Sequence, residues 1–274
     1  MSLPSISAIV VTYQTGPRLK ECLYALSSDE ELAEIVIVDN GNPPEMSAWL
    51  RAFAQDRSGV KLLSGQGNIG FGSAVNLGAR HAAGPGLLVI NPDAVLRRSS
   101  LEGMYAVGAS GPEPWIVGGK IFDLYGREER GARRKDLTLW RAATSFLGWN
   151  TWTLESTAGE TEPVDMPVIS GAFFLTNRAS WDLLGGFDET YFMHVEDVDL
   201  CRTCRALGGR VYYDPRAAAL HYGATSNAPA AAISAHKADS LEHYFRKFAR
   251  TPFERACVAI AIPVMRLAQR KKAR

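Results

Sequence analysis

The sequence is short of cysteine, of net charge and of long apolar runs, and each shortage removes a class of protein. Its four cysteines, Cys22, Cys201, Cys204 and Cys257, are too few and too scattered to staple a secreted fold, which favours a reducing compartment. A formal net charge of +1 supplies no global basic field, so no nucleic-acid partner is expected. No stretch reaches the roughly 18 apolar residues of a membrane-spanning helix. The nearest, residues 256–265, is short and contains Pro263. A strand-like run starts almost at the first residue, so no signal peptide is expected. Together these absences predict a cytoplasmic protein. Internal repeats are missing too, and the one biased tract is the alanine-rich 228–232.

What is present suits one large α/β domain with at most a short appendage: 274 residues, 46% of them hydrophobic. The β-branched run at 6–11 suits a strand buried on both faces, 34–38 reads as a second buried strand, and 60–63 and 87–90 read as the third and fourth strands. Helical patterns lie between them, through Leu19, Leu23 and Leu26, around 47–54, and over 71–82. Strand and helix in alternation predict a parallel sheet with crossover helices. The pattern breaks after Val117, and 123–163 reads as a long excursion of charges, glycines and scattered tryptophans. Regular signals return with strands at 168–169 and 172–176, a helix over 195–207, short strands at 211–213 and 217–221, and helices from about 230 onward.

Ligands of parallel α/β sheets bind beyond the carboxyl ends of the strands, so the polar residues there are the first candidates. The first strand ends in Thr12-Tyr13-Gln14, the second in Asp39-Asn40 and the fourth in Asn91-Pro92-Asp93. Tyr13 could stack on a base, Asp39 could accept from a base or ribose, and Asp93 could ligate a hard cation. Each is equally at home as a turn former or cap, and only their joint occurrence on neighbouring strand ends points to a nucleotide. The loop Gly65-Gln66-Gly67-Asn68-Ile69-Gly70 matches the dinucleotide glycine fingerprint. It follows the third strand and no acid stands about twenty residues on, so a redox cofactor is not expected; its amides can still approach phosphate or ribose.

Six possible ligands or bases crowd the segment from Gly185 to Leu200, among them Asp188, Glu189, His194, Glu196, Asp197 and Asp199. Acids at a helix start are favoured by the helix dipole, and one so placed can also take a proton from a hydroxyl. Cys201-Arg202-Thr203-Cys204 has redox-motif spacing but lies within this helix rather than after a strand, and no further zinc ligands are near. His221, closing a short strand, could complete a metal site with Asp93.

Val10-Val11-Thr12-Tyr13, Val38-Asp39-Asn40, Gly67-Asn68-Ile69-Gly70-Phe71-Gly72 with Asn76, Asn91-Pro92-Asp93, Gly186-Phe187-Asp188-Glu189, Glu196-Asp197-Val198-Asp199-Leu200-Cys201 and His221 occur in this order. Together they resemble the family-two glycosyltransferases, and their rhamnosyltransferase-like branch in particular. The resemblance covers roughly Ile6 to Ser226. It implies the GT-A fold, an α/β architecture whose mostly parallel central sheet is flanked by helices.

It implies, further, that Thr12, Tyr13, Asp39, Asn68, Gly70, Phe71, Asn76, Asn91 and Asp93 form the nucleotide-sugar site. Asp93 and His221 would hold Mg2+ or Mn2+ on the donor diphosphate, and Asp197, or as second choice Glu196, would be the general base. Asn91 stands where many members have an acid, Gln14 where Asn is common, His194 where an aromatic is common and Thr203 where many have Arg.

The function this implies is inverting, metal-dependent transfer of a sugar to a hydroxyl of a saccharide or polyprenyl-linked acceptor in polysaccharide assembly. L-Rhamnose from dTDP-L-rhamnose is the favoured donor. The rival is a non-catalytic protein of the same fold that binds sugar nucleotide or glycan. A catalytic domain is expected over 1–226, with 1–93 holding the nucleotide and 94–226 the acceptor and the catalytic groups. A helical extension is expected over 227–274. Asp188, Glu189, Arg133 and Arg134 are candidates for acceptor contacts, although the basic run 127–135 also reads as a solvated loop. The apolar 258–265 followed by Arg266, Arg270, Lys271, Lys272 and Arg274 suggests peripheral contact with the inner face of a membrane.

Overall fold

The computed structural model describes residues 4–98, 101–129, 131–146, 159–223 and 230–272. Arg130, the centre of the expected excursion, the 226/227 boundary and Arg274 lie outside the described residues, as do the side chains of Arg270, Lys271 and Lys272.

The first third folds as its periodicities predict. Strands β1 (Ile6–Thr12), β2 (Leu32–Asp39), β3 (Val60–Leu63) and β4 (Gly86–Ile90) alternate with helices α1 (Arg18–Ser27), α2 (Pro44–Gln55) and α3 (Phe71–His81). They pair parallel in the order β3-β2-β1-β4. Every residue of β1 is buried, because side chains that alternate across a sheet covered on both faces meet protein either way. Ile9 and Val11 point into one core layer, Ala8 and Val10 into the other.

Beyond β4 the sheet continues through elements with weaker local signals. β5 (Ala94–Arg98), α4 (Leu101–Ala109) and β6 (Trp115–Phe122) come next, then a short ribbon of β7 (Arg133–Arg134) with β9 (Val168–Ile169). Between the ribbon strands lie α5 (Leu139–Phe146) and β8 (Val164–Asp165). β10 (Phe173–Asn177) inserts antiparallel between β4 and β6, and α6 (Arg178–Leu184) and α7 (Glu196–Ala206) follow it.

The two short strands expected near 211–213 and 217–221 are one strand, β11 (Arg210–His221), parallel to β6. Its register shifts between Asp214 and Ala218, around Pro215, whose missing N–H cannot join a ladder. The sheet order is completed as β4-β10-β6-β11-β5.

Helices α1, α2 and α4 cover one face with Leu19, Leu23, Leu50, Phe53 and Met104. On the other lie α3, α6 and α7, together with α8 (Ala230–Phe248) and α9 (Pro252–Lys272). The expected C-terminal helices are therefore part of the core: Leu241, Tyr244 and Phe245 of α8 and Val258, Ile262 and Met265 of α9 are buried in the same cluster as Phe187 and Val198. Each such side chain contributes roughly 1.5–3 kcal/mol on burial.

Candidate active site

The carboxyl ends of β1 and β2 carry a tightly bonded polar loop. Asp39 Oδ1 accepts from the Gly41 N–H (3.2 Å), the Asn42 N–H (3.0 Å) and Asn42 Nδ2 (2.8 Å), and its Oδ2 accepts from Ser47 Oγ (2.6 Å). Burial opposes its charge, but these bonds outweigh that and hold its carboxyl below the usual range. Asp39 thus first organises the turn into α2, with Oδ2 the oxygen that has a site to spare. Thr12, fully buried, donates to Thr15 Oγ1 (2.9 Å) or Asn42 Oδ1 (3.2 Å). The Tyr13 ring lies against Gly41, and Gln14, at φ 46°, donates to the Tyr13 hydroxyl (3.2 Å).

Asn40 ties this loop to the glycine-rich one. Its Nδ2 donates to Asn68 Oδ1 (3.0 Å) and Gly70 O (3.2 Å), and its Oδ1 accepts from the Ile69 N–H (3.2 Å). Gly70 sits at φ 85°, and a Cβ there would come within 2.6 Å of Phe192 O; only glycine meets both demands. The Phe71 N–H donates to that same oxygen (2.9 Å), while its ring packs on Phe187. Asn76 spends its amide on the Phe187 backbone (2.8 and 2.9 Å) and on Glu189 Oε1 (3.0 Å). Phe71 and Asn76, expected on the nucleotide, therefore clamp the 186–192 loop.

At the end of β4, Asp93 Oδ1 lies 3.1 Å from His221 Nε2, and Asn91 Nδ2 lies 3.4 Å from the same nitrogen. Glu129 Oε1 sits 2.9 Å from His221 Nδ1. Burial disfavours the imidazolium, but hydrogen bonds to Asp93 and Glu129 prevail and hold it up to about 9.

The donor set suits a small hard cation. Neighbouring ligands at about 2.1 Å on an octahedral ion stand about 3.0 Å apart, close to the separation seen. Glu129 would keep the proton on Nδ1 and so aim Nε2 at the ion, which must displace any proton there. No group of three or more His, Cys, Asp or Glu residues suited to a metal occurs among the described residues. With Asp93 and His221 as ligands, diphosphate and water would have to complete the shell.

Asp197 stands on the first turn of α7, reached through left-handed backbone at His194 (φ 65°) and Val195 (φ 73°). For a β-branched residue that conformation costs on the order of 1–3 kcal/mol, and such strain concentrates at functional sites. Asp197 Oδ2 accepts from the Gly171 N–H (3.0 Å) and pairs with Arg134; its Oδ1 accepts from the Val198 N–H (2.8 Å). Glu196 is buried beside it with Oε2 lacking a partner. Burial and then the Asp197 charge push its carboxyl well above the usual range. Of the two acids, Asp197 is the more open to solvent, and Glu196 is buried.

The entry to β10 joins the two centres. The Asn91 N–H donates to Ala172 O (2.9 Å), and the preceding residue, Gly171, donates to Asp197. Two adjacent residues thus connect the Asp93–His221 pair to the α7 acids.

A match to the family described as Glycosyl transferase family 2 extends over residues 7–184. The chain belongs to that family. The transferase is 32% identical over 251 residues to the N-acetylglucosaminyl-diphospho-decaprenol L-rhamnosyltransferase of Mycobacterium tuberculosis (strain CDC 1551 / Oshkosh), covering 84% of this chain and 81% of that one. It is 24% identical to rhamnosyltransferase WbbL of Escherichia coli K12, over 80% of this chain and 84% of the other. The mannosyltransferase PcManGT of Pyrobaculum calidifontis, solved with GDP-Man and Mn2+, superposes with a TM-score of 0.61 at 18% identity, over 99% of this chain and 74% of that chain. The fold is GT-A.

Other expected site residues are committed within the transferase. Arg133, buried rather than on a solvated loop, is bonded to Glu128 (2.8 and 3.2 Å) and Glu160 (2.7 Å) over the Tyr213 ring. Asp188 accepts from Lys247 (2.8 Å) and faces His243 (3.0 Å), both on α8. Glu189, about half exposed, bonds Asn76 and lies 3.8 Å from Arg80. Cys201 and Cys204 are buried and unbridged, and burial pushes both thiols up to about 12, which rules against a redox motif. Sequence reasoning missed Glu129, Gly171, Asn42 and Ser47; none carries a local signal, because each matters only through a partner distant in sequence or across a turn.

Proposed function

We propose that this glycosyltransferase is inverting and metal-dependent, and moves L-rhamnose from dTDP-L-rhamnose to a hydroxyl of a lipid-linked saccharide in polysaccharide biosynthesis. The observation that carries the chemistry is the Gly171–Ala172 bridge. It ties a cation-suited Asp93–His221 pair to a carboxylate able to take a proton. The relatives' names, an N-acetylglucosaminyl-diphospho-decaprenol L-rhamnosyltransferase and a rhamnosyltransferase, support the sugar and the acceptor class.

In this reading Tyr13 stacks on the base, while Asp39 Oδ2, Asn68 and the amides of the 65–70 loop meet ribose and diphosphate. Asp93 and His221 would hold Mg2+ or Mn2+, which would supply positive charge against the departing diphosphate. The acceptor oxygen attacks the anomeric carbon from the face opposite the diphosphate, and Asp197 takes the hydroxyl proton as the C–O bond forms. One displacement inverts the centre. Glu196, neutral and enclosed, supports Asp197 rather than replacing it. Arg134 and Glu189 are the acceptor-facing candidates; the partners of Arg133 and Asp188 assign those two to holding the fold. Residues 1–93 carry the donor and 94–226 the acceptor and base.

The test is calorimetric binding of a donor panel (dTDP-rhamnose, UDP-sugars and GDP-sugars) with and without Mn2+ or Mg2+. The expected result is saturable, metal-dependent binding of dTDP-rhamnose that Asp93→Ala abolishes. Turnover with that donor should fall about 100- to 10,000-fold in Asp197→Asn. Binding of no sugar nucleotide, or binding indifferent to metal, would overturn it.

A further inference from the structure

The C-terminal helix α9 has two apolar faces, and the fold uses one. Val258, Ile262 and Met265 are buried, on a helix that packs against α8 and α5. On the opposite face Phe253, Ile260, Val264 and Leu267, spaced seven, four and three residues apart, are 77%, 74%, 66% and 58% exposed. That spacing is one continuous helical stripe. Four large apolar side chains aligned in water are unlike the scattered single hydrophobics of an ordinary surface. α5, which packs beside α9, exposes Trp140 as well.

The charge of the same segment has one sign. From Arg250 to the end of the sequence stand Arg250, Arg255, Arg266, Arg270, Lys271, Lys272 and Arg274 against the single acid Glu254. Arg266 is neutralised by Asp239 (2.7 Å) and Glu242 (2.6 Å) of α8. Those ion pairs also set α9 back along α8, with Arg266 beside Asp239 and Glu242. The His236 ring stacks on Phe192 (4.3 Å), in the loop that leads into Glu196 and Asp197. No described helix is long and apolar enough to cross a membrane.

We propose that α9 lies flat on an anionic lipid bilayer, with the stripe of Phe253, Ile260, Val264 and Leu267 in the headgroup boundary and the net positive charge of the segment drawing it to the lipid phosphates. An apolar stripe with flanking Lys and Arg is the composition of an interfacial helix, which uses area and charge together. Charge complementarity selects this occupant over a second copy of the chain, whose α9 would bring the same positive charge. The inference deepens the lipid-linked acceptor reading and rests on it for its purpose. The surface that holds α9 would also hold the acceptor, beside the loop that carries the base.

Flotation of the full chain with phosphatidylcholine vesicles, with and without phosphatidylglycerol, tests it. Strong binding is expected only with phosphatidylglycerol, weakened by salt. Ile260→Ser with Val264→Ser should abolish it, as should Phe253→Ser with Leu267→Ser; all four side chains are exposed, so the variants keep the fold. Arg270→Gln, Lys271→Gln and Lys272→Gln together should weaken it about a hundredfold. Equal binding to neutral and anionic vesicles, binding to neither, or a dimer in sedimentation that the stripe variants dissolve would each overturn the proposal. Donor calorimetry without vesicles reads the transferase assignment separately, so either proposal can fail alone.

Discussion

Arg134, on the β7–β9 ribbon, is paired with Asp197, on the first turn of α7, across 63 residues of sequence. Together with the Gly171 amide it fixes one oxygen of the proposed base from two sides. A charge-assisted hydrogen bond is worth about 1.5–3 kcal/mol, and each 1.36 kcal/mol is tenfold in rate. Arg134→Gln should therefore lower kcat about 10- to 100-fold while donor affinity by calorimetry is unchanged. Gly171→Ala should act in the same direction with little change in Tm, because its new methyl would stand 3.2 Å from Asp197 Cβ. Full kcat in both variants would mean that Asp197 needs no such support.

The orientation of His221 by Glu129 gives a second test. Glu129→Gln removes the carboxylate 2.9 Å from Nδ1 and frees the ring to turn. The metal concentration for half-maximal donor binding should rise about 10- to 100-fold. Titrating Mn2+ into protein and donor measures this, and an unchanged midpoint would remove Glu129 from the site.

Glu196 links stability to pH. Its carboxyl is raised above the ordinary 4.5, so from there upward the folded state retains a proton that the unfolded chain has released. Stability from this group then falls as pH rises, and levels off once it is ionised in both states. Asp39 and Asp188, held below their ordinary range, act oppositely and lose their contribution as pH falls. Subtracting urea-unfolding curves of Glu196→Gln from those of the native protein isolates the first effect. The native protein should lose ground to the variant with rising pH; the reverse slope would refute the assignment.

Lys247 bridges Asp188 (2.8 Å) and the buried Asp199 (2.8 Å), which also accepts from the Tyr191 hydroxyl (2.7 Å). Breaking a fully buried pair costs about 3–5 kcal/mol. Lys247 is one-third exposed, so Lys247→Met should cost about 1–3 kcal/mol in denaturant unfolding. Adding Asp199→Asn should cost less than the two single effects summed, since the substitutions share one contact.

The strands and helices from Ile6 to Ile90 were legible because the buried strands β1, β2 and β4 leave apolar runs rich in Val, Ile and Leu, and amphipathic helices separate them. The Asp93–His221 pairing was legible from two ligand types at strand ends and through the resemblance, not through spacing. What lay beyond reach was set by sheet order rather than by local period. Nothing in Phe173–Asn177 says that it inserts between β4 and β6, yet that insertion is what brings Gly171 to Asp197. The basic run at 127–135 read as one cluster, whereas the fold buries Arg133 between two acids and sends Arg134 to the α7 turn. Gln14 and His194, two of the departures from the common family pattern, both fall on left-handed backbone. His shares with Asn a several-fold enrichment in that conformation and Gln does not, so His194 suits its constrained backbone while Gln14 sits on it against preference.

The ties between α8 and the 186–199 segment bear on how relatives of this chain can be recombined. Lys247 and His243 hold Asp188, Lys247 also holds Asp199, and Ser240 donates to Met193 O (2.8 Å). In a hybrid that grafts the last helices of a relative onto the front of this chain, a crossover between 200 and 239 draws the two sides of these pairings from different proteins, and they survive only where the grafted α8 supplies matching partners. Viable crossovers carry the 186–199 segment with its own α8, so the acids that would act on the acceptor and the helices beneath α9 are exchanged as one cassette.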